Sequence, residues 1–77
     1  MSKQTRLSSE AVIEKAKNYF EGEIGLKVTD ETSNCCVEFA SNLGFVIVQL
    51  REEDHNREVV VSTREFEYQI QQFLGTV

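Results

Sequence analysis

The chain has 77 residues, and 40% of them are hydrophobic. This length corresponds to one small domain, and the hydrophobic fraction is too high for a disordered chain. Thirteen acidic residues against eight basic ones give a net charge of −5, which argues against the clustered positive surface that nucleic-acid phosphates require. We therefore expect no nucleic-acid partner and no binding to an anionic membrane.

The N-terminal segment is polar and has no apolar core of the kind that signal peptides carry. No stretch of the sequence approaches the roughly 20 apolar residues of a membrane span. We therefore expect a cytoplasmic protein. Residues 1–7 are predicted to form a disordered leader, and residues 8–77 are predicted to form a single α+β domain.

An amphipathic helix is predicted over residues 8–21. Its apolar residues share one helical face, namely Val12, Ile13, Ala16, Tyr19 and Phe20. Ser8 is the expected N-cap, because its hydroxyl can accept a hydrogen bond from a first-turn amide. Gly22 is expected to end the helix by adopting the left-handed conformation.

Four strands are predicted after this helix, because Val, Ile, Phe and Thr dominate four short segments. These segments are residues 26–29, 35–40, 44–51 and 57–63. The gaps between them are short and rich in turn-forming residues, and none is long enough for a crossover helix. Antiparallel hairpins are therefore the expected connections.

The last segment, residues 64–74, is predicted to be a helix. Its apolar residues follow helical spacing at Phe66, Ile70, Phe73 and Leu74. Ser62 and Glu65 have the spacing of a capping box, and Gly75 stands where a helix-ending glycine belongs. Alternation of apolar residues between Phe66 and Ile70 is the competing signal for a strand.

The predicted fold is thus a two-layer α+β sandwich with the order α-β-β-β-β-α. A four-stranded antiparallel meander carries the N- and C-terminal helices on one face. If the turns are symmetric, one face of the sheet is almost wholly apolar. This expected inner face holds Leu26, Val28, Cys35, Val37, Phe39, Val46, Val48, Leu50 and Val60.

The opposite face of the sheet is also expected to carry apolar side chains. Monomeric proteins seldom expose large contiguous apolar patches, so we predict that a second copy of the chain covers this face about a two-fold axis. The predicted interface consists of Phe45, Ile47, Val59, Val61, Cys36 and Ala40.

Two alternatives to this interface remain open. A shift of one residue at the turn between the third and fourth strands would direct Val59 and Val61 inward and leave Val60 outside with Phe45 and Ile47. In the second alternative, the C-terminal segment crosses the sheet and covers this face itself.

The two cysteines and the single histidine offer little chemistry. Neighbouring strand residues point to opposite faces, so we predict Cys35 as a core residue and Cys36 as a sheet-face residue, without a disulfide between them. A structural zinc site needs about four Cys or His ligands, more than one chain supplies. His55 would need a partner placed by the fold to act as a general base. No cofactor and no metal are expected.

The sequence contains no glycine-rich phosphate loop and no G-x-S-x-G nucleophile motif. We therefore predict a non-enzymatic protein-interaction module that forms a homodimer. A protein partner is expected to bind an acidic surface that includes Glu52, Glu53, Asp54, Glu65 and Glu67. The alternative is a small-ligand or metal-binding regulator with a site formed across the dimer by Cys36 and His55.

Overall fold

The computed structural model describes residues 1–32, 35–53 and 56–77. In these residues, one open antiparallel sheet of five strands carries two helices. The elements are β1 (Ser2–Thr5), α1 (Ser9–Ala16) with a π-helical continuation (Lys17–Glu23), β2 (Lys27–Thr32), β3 (Cys36–Ala40), β4 (Phe45–Glu53), β5 (Asn56–Arg64) and α2 (Glu67–Leu74). The strand order is β1-β5-β4-β3-β2. The predicted α+β class and antiparallel sheet are confirmed, whereas the count of four strands is wrong.

The additional strand, β1, lies in residues 1–7, which were predicted to be a disordered leader. It pairs antiparallel with β5 at one edge of the sheet. The ammonium group of Lys3 also donates a hydrogen bond of 2.9 Å to the Leu74 carbonyl, at the end of α2 where a positive charge is favourable. The polar sequence of β1 has no apolar alternation, so only its tertiary pairing identifies it as a strand.

The first helix begins as predicted and ends later than predicted. The Ser8 hydroxyl accepts a hydrogen bond of 3.1 Å from the Ala11 amide, which confirms the N-cap. At the other end, the Ile24 amide donates to the Tyr19 carbonyl at 3.0 Å, and this i→i−5 bond carries the helical segment past Gly22. The left-handed conformation falls on Gly25 instead, with φ +86°.

Substitution of the helix cap tests this local structure. We expect Ser8→Ala to lower the free energy of unfolding by about 1 kcal/mol, because a first-turn amide loses its acceptor. Urea denaturation followed by circular dichroism measures the change. The control variant Ser9→Ala removes the same atom one residue further along and should stay within about 0.5 kcal/mol of wild type. Equal losses at both positions would contradict the cap.

The hairpin of β3 and β4 has the predicted register, with Val37 opposite Val48. The register of β2 is different. Val28 was predicted opposite Cys35, but it lies opposite Phe39, and a β-bulge follows it. The displacement is four residues, an even number, so Val28 keeps its predicted face although its partner has changed.

The register of β4 and β5 differs from the prediction by one residue. Val48 lies opposite Val61 instead of Val60, because the strands stay paired out to Glu53 and Asn56. The paired ends Glu53 and Asn56 are therefore separated by two residues in the sequence instead of the five that the sequence suggested. A change from an odd to an even number of residues between the paired strand ends moves each β5 side chain to the opposite face of the sheet. Val61 therefore faces the helices and Val60 faces away.

The core lies between the sheet and the two helices. Its centre is aromatic: the ring of Phe20 lies 5.4 Å from that of Phe39 and 5.2 Å from that of Phe73, between centroids. The buried hydrophobic residues are Val12, Ile13, Ala16, Phe20, Leu26, Val37, Phe39, Val46, Val48, Val59, Val61, Phe66, Ile70, Phe73 and Leu74. Cys35 and Val60, both predicted as inward-facing, are not among them. Within the described residues, neither helix is long and apolar enough to cross a membrane.

The second helix was predicted over residues 64–74, but it starts later, at Glu67. β5 remains paired with β4 as far as Arg64, so Ser62 stays in the strand and cannot cap a helix. The predicted capping box is therefore wrong. Glu65 turns the chain with φ 82°, and α2 begins two residues later. Gly75 ends the helix with right-handed φ −67°, so it does not adopt the left-handed conformation expected of it.

Candidate interaction surface

The face of the sheet opposite the helices is called here the outer face, and its apolar residues are Cys36, Ala40, Phe45, Ile47 and Val60. Each is half-buried. They point outward because the alternate residues of the same strands, such as Val46 and Val48, are fully buried in the core. The buried side chains of both helices belong to that same core. Among the described residues, therefore, no helix covers the outer face.

Cross-strand pairing arranges the outer-face residues in rows that run across β3, β4 and β5. Neighbouring rows are about 6.6 Å apart along each strand. The rows are Ala40, Phe45 and Arg64; Glu38, Ile47 and Ser62; and Cys36, Gln49 and Val60. Phe45 and Ile47 thus form an apolar column on the central strand. A cationic residue lies on one side of this column and an anionic residue on the other.

The structure places four of the six predicted interface residues on the outer face: Cys36, Ala40, Phe45 and Ile47. Val59 and Val61 were predicted there wrongly, since they are 0% and 1% exposed in the core. Val60 lies on the outer face instead, as predicted by the alternative in which the register of β5 shifts by one residue. The other alternative is wrong, because the apolar side of α2 packs in the core and not across the outer face. Whether a second copy binds the four residues stays a prediction.

The sequence analysis did not place Asp30 or Arg64 on the flanks of the outer face. Glu38 lies directly opposite Asp30 of β2, and like charges in that position repel each other. In the part of the chain that the structure describes, the two ion pairs are Lys17 with Glu31 and Arg57 with Glu52, each at 2.6 Å. Neither pair includes Glu38, Asp30 or Arg64. The strand registers show that these residues flank Phe45 and Ile47.

The residues of the predicted acidic surface do not lie together. Glu52 is near the hairpin end of β4 and accepts hydrogen bonds from Arg57. Glu65 and Glu67 follow the opposite end of β5, whose nine residues span roughly 25 Å. Asp54 lies outside the described residues. One continuous acidic surface is therefore not formed, because the length of β5 separates the two groups.

The cysteines differ from their prediction as well, since Cys35 and Cys36 are joined by a disulfide. Cys35 directly precedes β3, whose first residue is Cys36. The Cys35 carbonyl accepts a hydrogen bond of 2.8 Å from the Leu50 amide. Cys35 is half-buried rather than part of the core. Neither sulfur is a free thiolate ligand.

The residues that the structure describes give no support for a metal-binding or acid–base site. No cluster of three or more His, Cys, Asp or Glu side chains that could hold a metal occurs in the described ranges, and His55 lies outside them. Burial raises the pKa of the Tyr19 phenol, and the nearby Glu23 and Tyr68 raise it further. That phenol is therefore neutral near pH 7.

A shallow cavity of about 290 Å³ adjoins the apolar column at the turn between β3 and β4. Its lining includes Ala40, Leu43, Phe45 and Arg64. Leu43, in the turn before β4, is 73% exposed. The exposed apolar surface therefore extends beyond Phe45, the first residue of β4. The cavity thus joins the outer face to its cationic flank at Arg64.

The chain matches no protein-family model, no curated protein and no solved structure. The outer face of the sheet is therefore the basis for a functional proposal.

Proposed function

We propose that the protein is a small non-enzymatic interaction module that forms a homodimer through the outer face of its sheet. The observation that supports this proposal is the position of Phe45, Ile47 and Val60 on the side of the sheet without helices. Burying a side chain of this kind completely contributes about 1.5–3 kcal/mol. Covering the remaining exposed parts of six such side chains in a dimer therefore supplies a driving force of several kcal/mol.

The edges of the sheet favour pairing through the face over pairing through an edge strand. β2 carries Lys27, Asp30 and Glu31 and is interrupted by a β-bulge. β1 has only four residues and includes Lys3. Charges, bulges and short length are the features that prevent an edge from pairing with another chain. The apolar outer face is left as the more favourable contact.

The size of the outer face limits the affinity of the dimer. Four strands about 4.8 Å apart and roughly 20 Å long give about 400 Å² of projected area in each copy. A pair of copies then buries about 800 Å², less than the roughly 1,000 Å² expected of a stable specific interface, so the proposed dimer belongs among weak, transient contacts. We therefore expect a dissociation constant in the micromolar range.

Replacing Phe45 tests the dimer directly. We expect light scattering and sedimentation of the wild type to report a mass that rises with concentration from 8.8 kDa for one chain towards twice that value. Phe45→Glu should keep the mass of one chain at every concentration, because the dimer would bury an unpaired carboxylate. Its thermal unfolding should remain cooperative, since Phe45 is outside the core.

Tyr68→Glu is the matched control, because Tyr68 is an aromatic residue on α2 that is 68% exposed. This variant should dimerise like the wild type. A wild-type chain that remains monomeric at high micromolar concentration, or a Phe45→Glu variant with unchanged mass, would contradict the proposed function.

A further inference from the structure

The disulfide between Cys35 and Cys36 lies at the surface of the molecule, where β3 begins. Both residues are half-buried, and neither belongs to the hydrophobic core. Cys36 is a residue of the outer face, which no helix covers among the described residues. Access to this disulfide from solution therefore does not require the core to open.

Main-chain hydrogen bonds hold the two cysteines in place without using their sulfur atoms. The Cys35 amide donates to the Thr32 carbonyl at 3.1 Å, and the Cys35 carbonyl accepts from the Leu50 amide at 2.8 Å. Cys36 lies opposite Thr32 on one side and opposite Gln49 on the other. The backbone around the disulfide therefore does not depend on the S–S bond, and it holds the two sulfur atoms on neighbouring residues.

The disulfide closes the shortest loop that a chain can form, because its two residues are adjacent in the sequence. A disulfide stabilises a fold mainly by restricting the unfolded chain, and this effect becomes smaller as the loop becomes shorter. For a loop of two residues, the closed bond is favoured in the folded chain over the unfolded chain by only about tenfold. A loop of about 15 residues gives more than about a hundredfold. Folding therefore protects this disulfide only slightly against reduction.

We propose that Cys35 and Cys36 form a reversible redox site, which thiols open and disulfide oxidants close again while the sheet and the helices stay folded. In the opening step, a thiolate attacks one protein sulfur, and the electron pair of the S–S bond leaves with the other sulfur, which takes up a proton. A second thiolate then attacks its counterpart in the mixed disulfide and releases the first protein sulfur, which is protonated in turn. The protein gains two thiols, and two reductant thiols become one disulfide.

Equilibration with graded mixtures of reduced and oxidised glutathione tests this site. The chain is kept below micromolar concentration, where the proposed dimer is dissociated, so that the result does not depend on the proposed function. Acid quenching, alkylation and mass spectrometry give the fractions of closed, open and glutathione-linked chain. We expect the same fractions from a reduced and from an oxidised starting sample, with the circular dichroism of the folded protein throughout. The equilibrium constant for closing should be no more than about tenfold larger in buffer than in concentrated urea.

Cys35→Ser and Cys36→Ser are the matched controls, because each variant keeps one thiol and cannot close the bond within the chain. Each should take up a single alkyl label after reduction. The double variant C35S/C36S should unfold at the same urea concentration as the reduced wild type, because the main-chain hydrogen bonds remain.

Four results would overturn the redox site. They are a bond that glutathione opens only in urea, thiols that oxidised glutathione never closes, a stable glutathione adduct in place of the closed bond, and a disulfide that links two chains. A closing constant more than about a hundredfold larger in buffer than in urea would instead identify an ordinary structural disulfide, and this too would overturn the proposal. All of these results leave the homodimer standing, because Phe45→Glu tests it separately.

Discussion

Replacing Phe39 with alanine is expected to lower the free energy of unfolding by about 3–5 kcal/mol. Phe39 is 0% exposed and its ring contacts that of Phe20. Alanine would remove this contact and leave a cavity between the sheet and the helices. Domains are typically stable by about 5–15 kcal/mol, and a chain of 77 residues buries comparatively little surface. The variant should therefore lose most of its stability.

Urea denaturation followed by circular dichroism measures this loss. Wild type and variant must be compared at the same low protein concentration, because dimerisation adds to apparent stability by mass action. Tyr68→Ala is the control, since it removes a ring of similar size from an exposed position. We expect it to change the free energy of unfolding by no more than about 0.5 kcal/mol. Similar losses in the two variants would show that Phe39 is not a central core residue.

Gly44→Ala is expected to destabilise the protein by about 3 kcal/mol, although alanine is normally a harmless replacement. A Cβ atom at Gly44 would lie 2.0 Å from the carbonyl oxygen of Arg64 and 2.9 Å from its carbonyl carbon. These are backbone atoms at the end of β5, so a side-chain rotation cannot relieve the clash. The strands must separate at this end of the sheet.

Gly22→Ala is the matched control for this prediction. A Cβ atom at Gly22 meets nothing within 4 Å, and the residue is part of the π-helical segment. Alanine there should stabilise the protein by up to about 1 kcal/mol, because glycine loses more backbone freedom on folding. Thermal and urea unfolding of both variants should therefore give changes of opposite sign. Equal stability of Gly44→Ala and wild type would contradict the close approach of the two strands.

The proposed dimer and these stability predictions depend on different layers of the molecule. Phe39 and Gly44 test how the core and the strand ends are packed, and Phe45 tests whether the opposite surface is covered. A stable monomer with an intact core would therefore refute the interaction proposal and leave the fold description intact.

Local sequence patterns determined much of the fold. Helical spacing and the Ser8 cap located the first helix, and β-branched residues located β2 to β5. The short turn between β3 and β4 fixed the register of Val37 opposite Val48. These features are predictable because side-chain alternation and short-turn geometry act between residues that are close in the chain. The same patterns placed Phe45 and Ile47 on the face away from the helices.

Tertiary structure alone decided the remaining features. β1 has a polar sequence and becomes a strand only because β5 offers an edge for pairing. The turn between β4 and β5 could have closed with an odd or an even number of residues, and this parity decided that Val59 and Val61 are buried and Val60 is not. Alternation along a strand fixes which residues share a face, but it does not fix which neighbour they meet. That choice depends on the summed pairing and packing of distant segments, which no local pattern in the sequence reports.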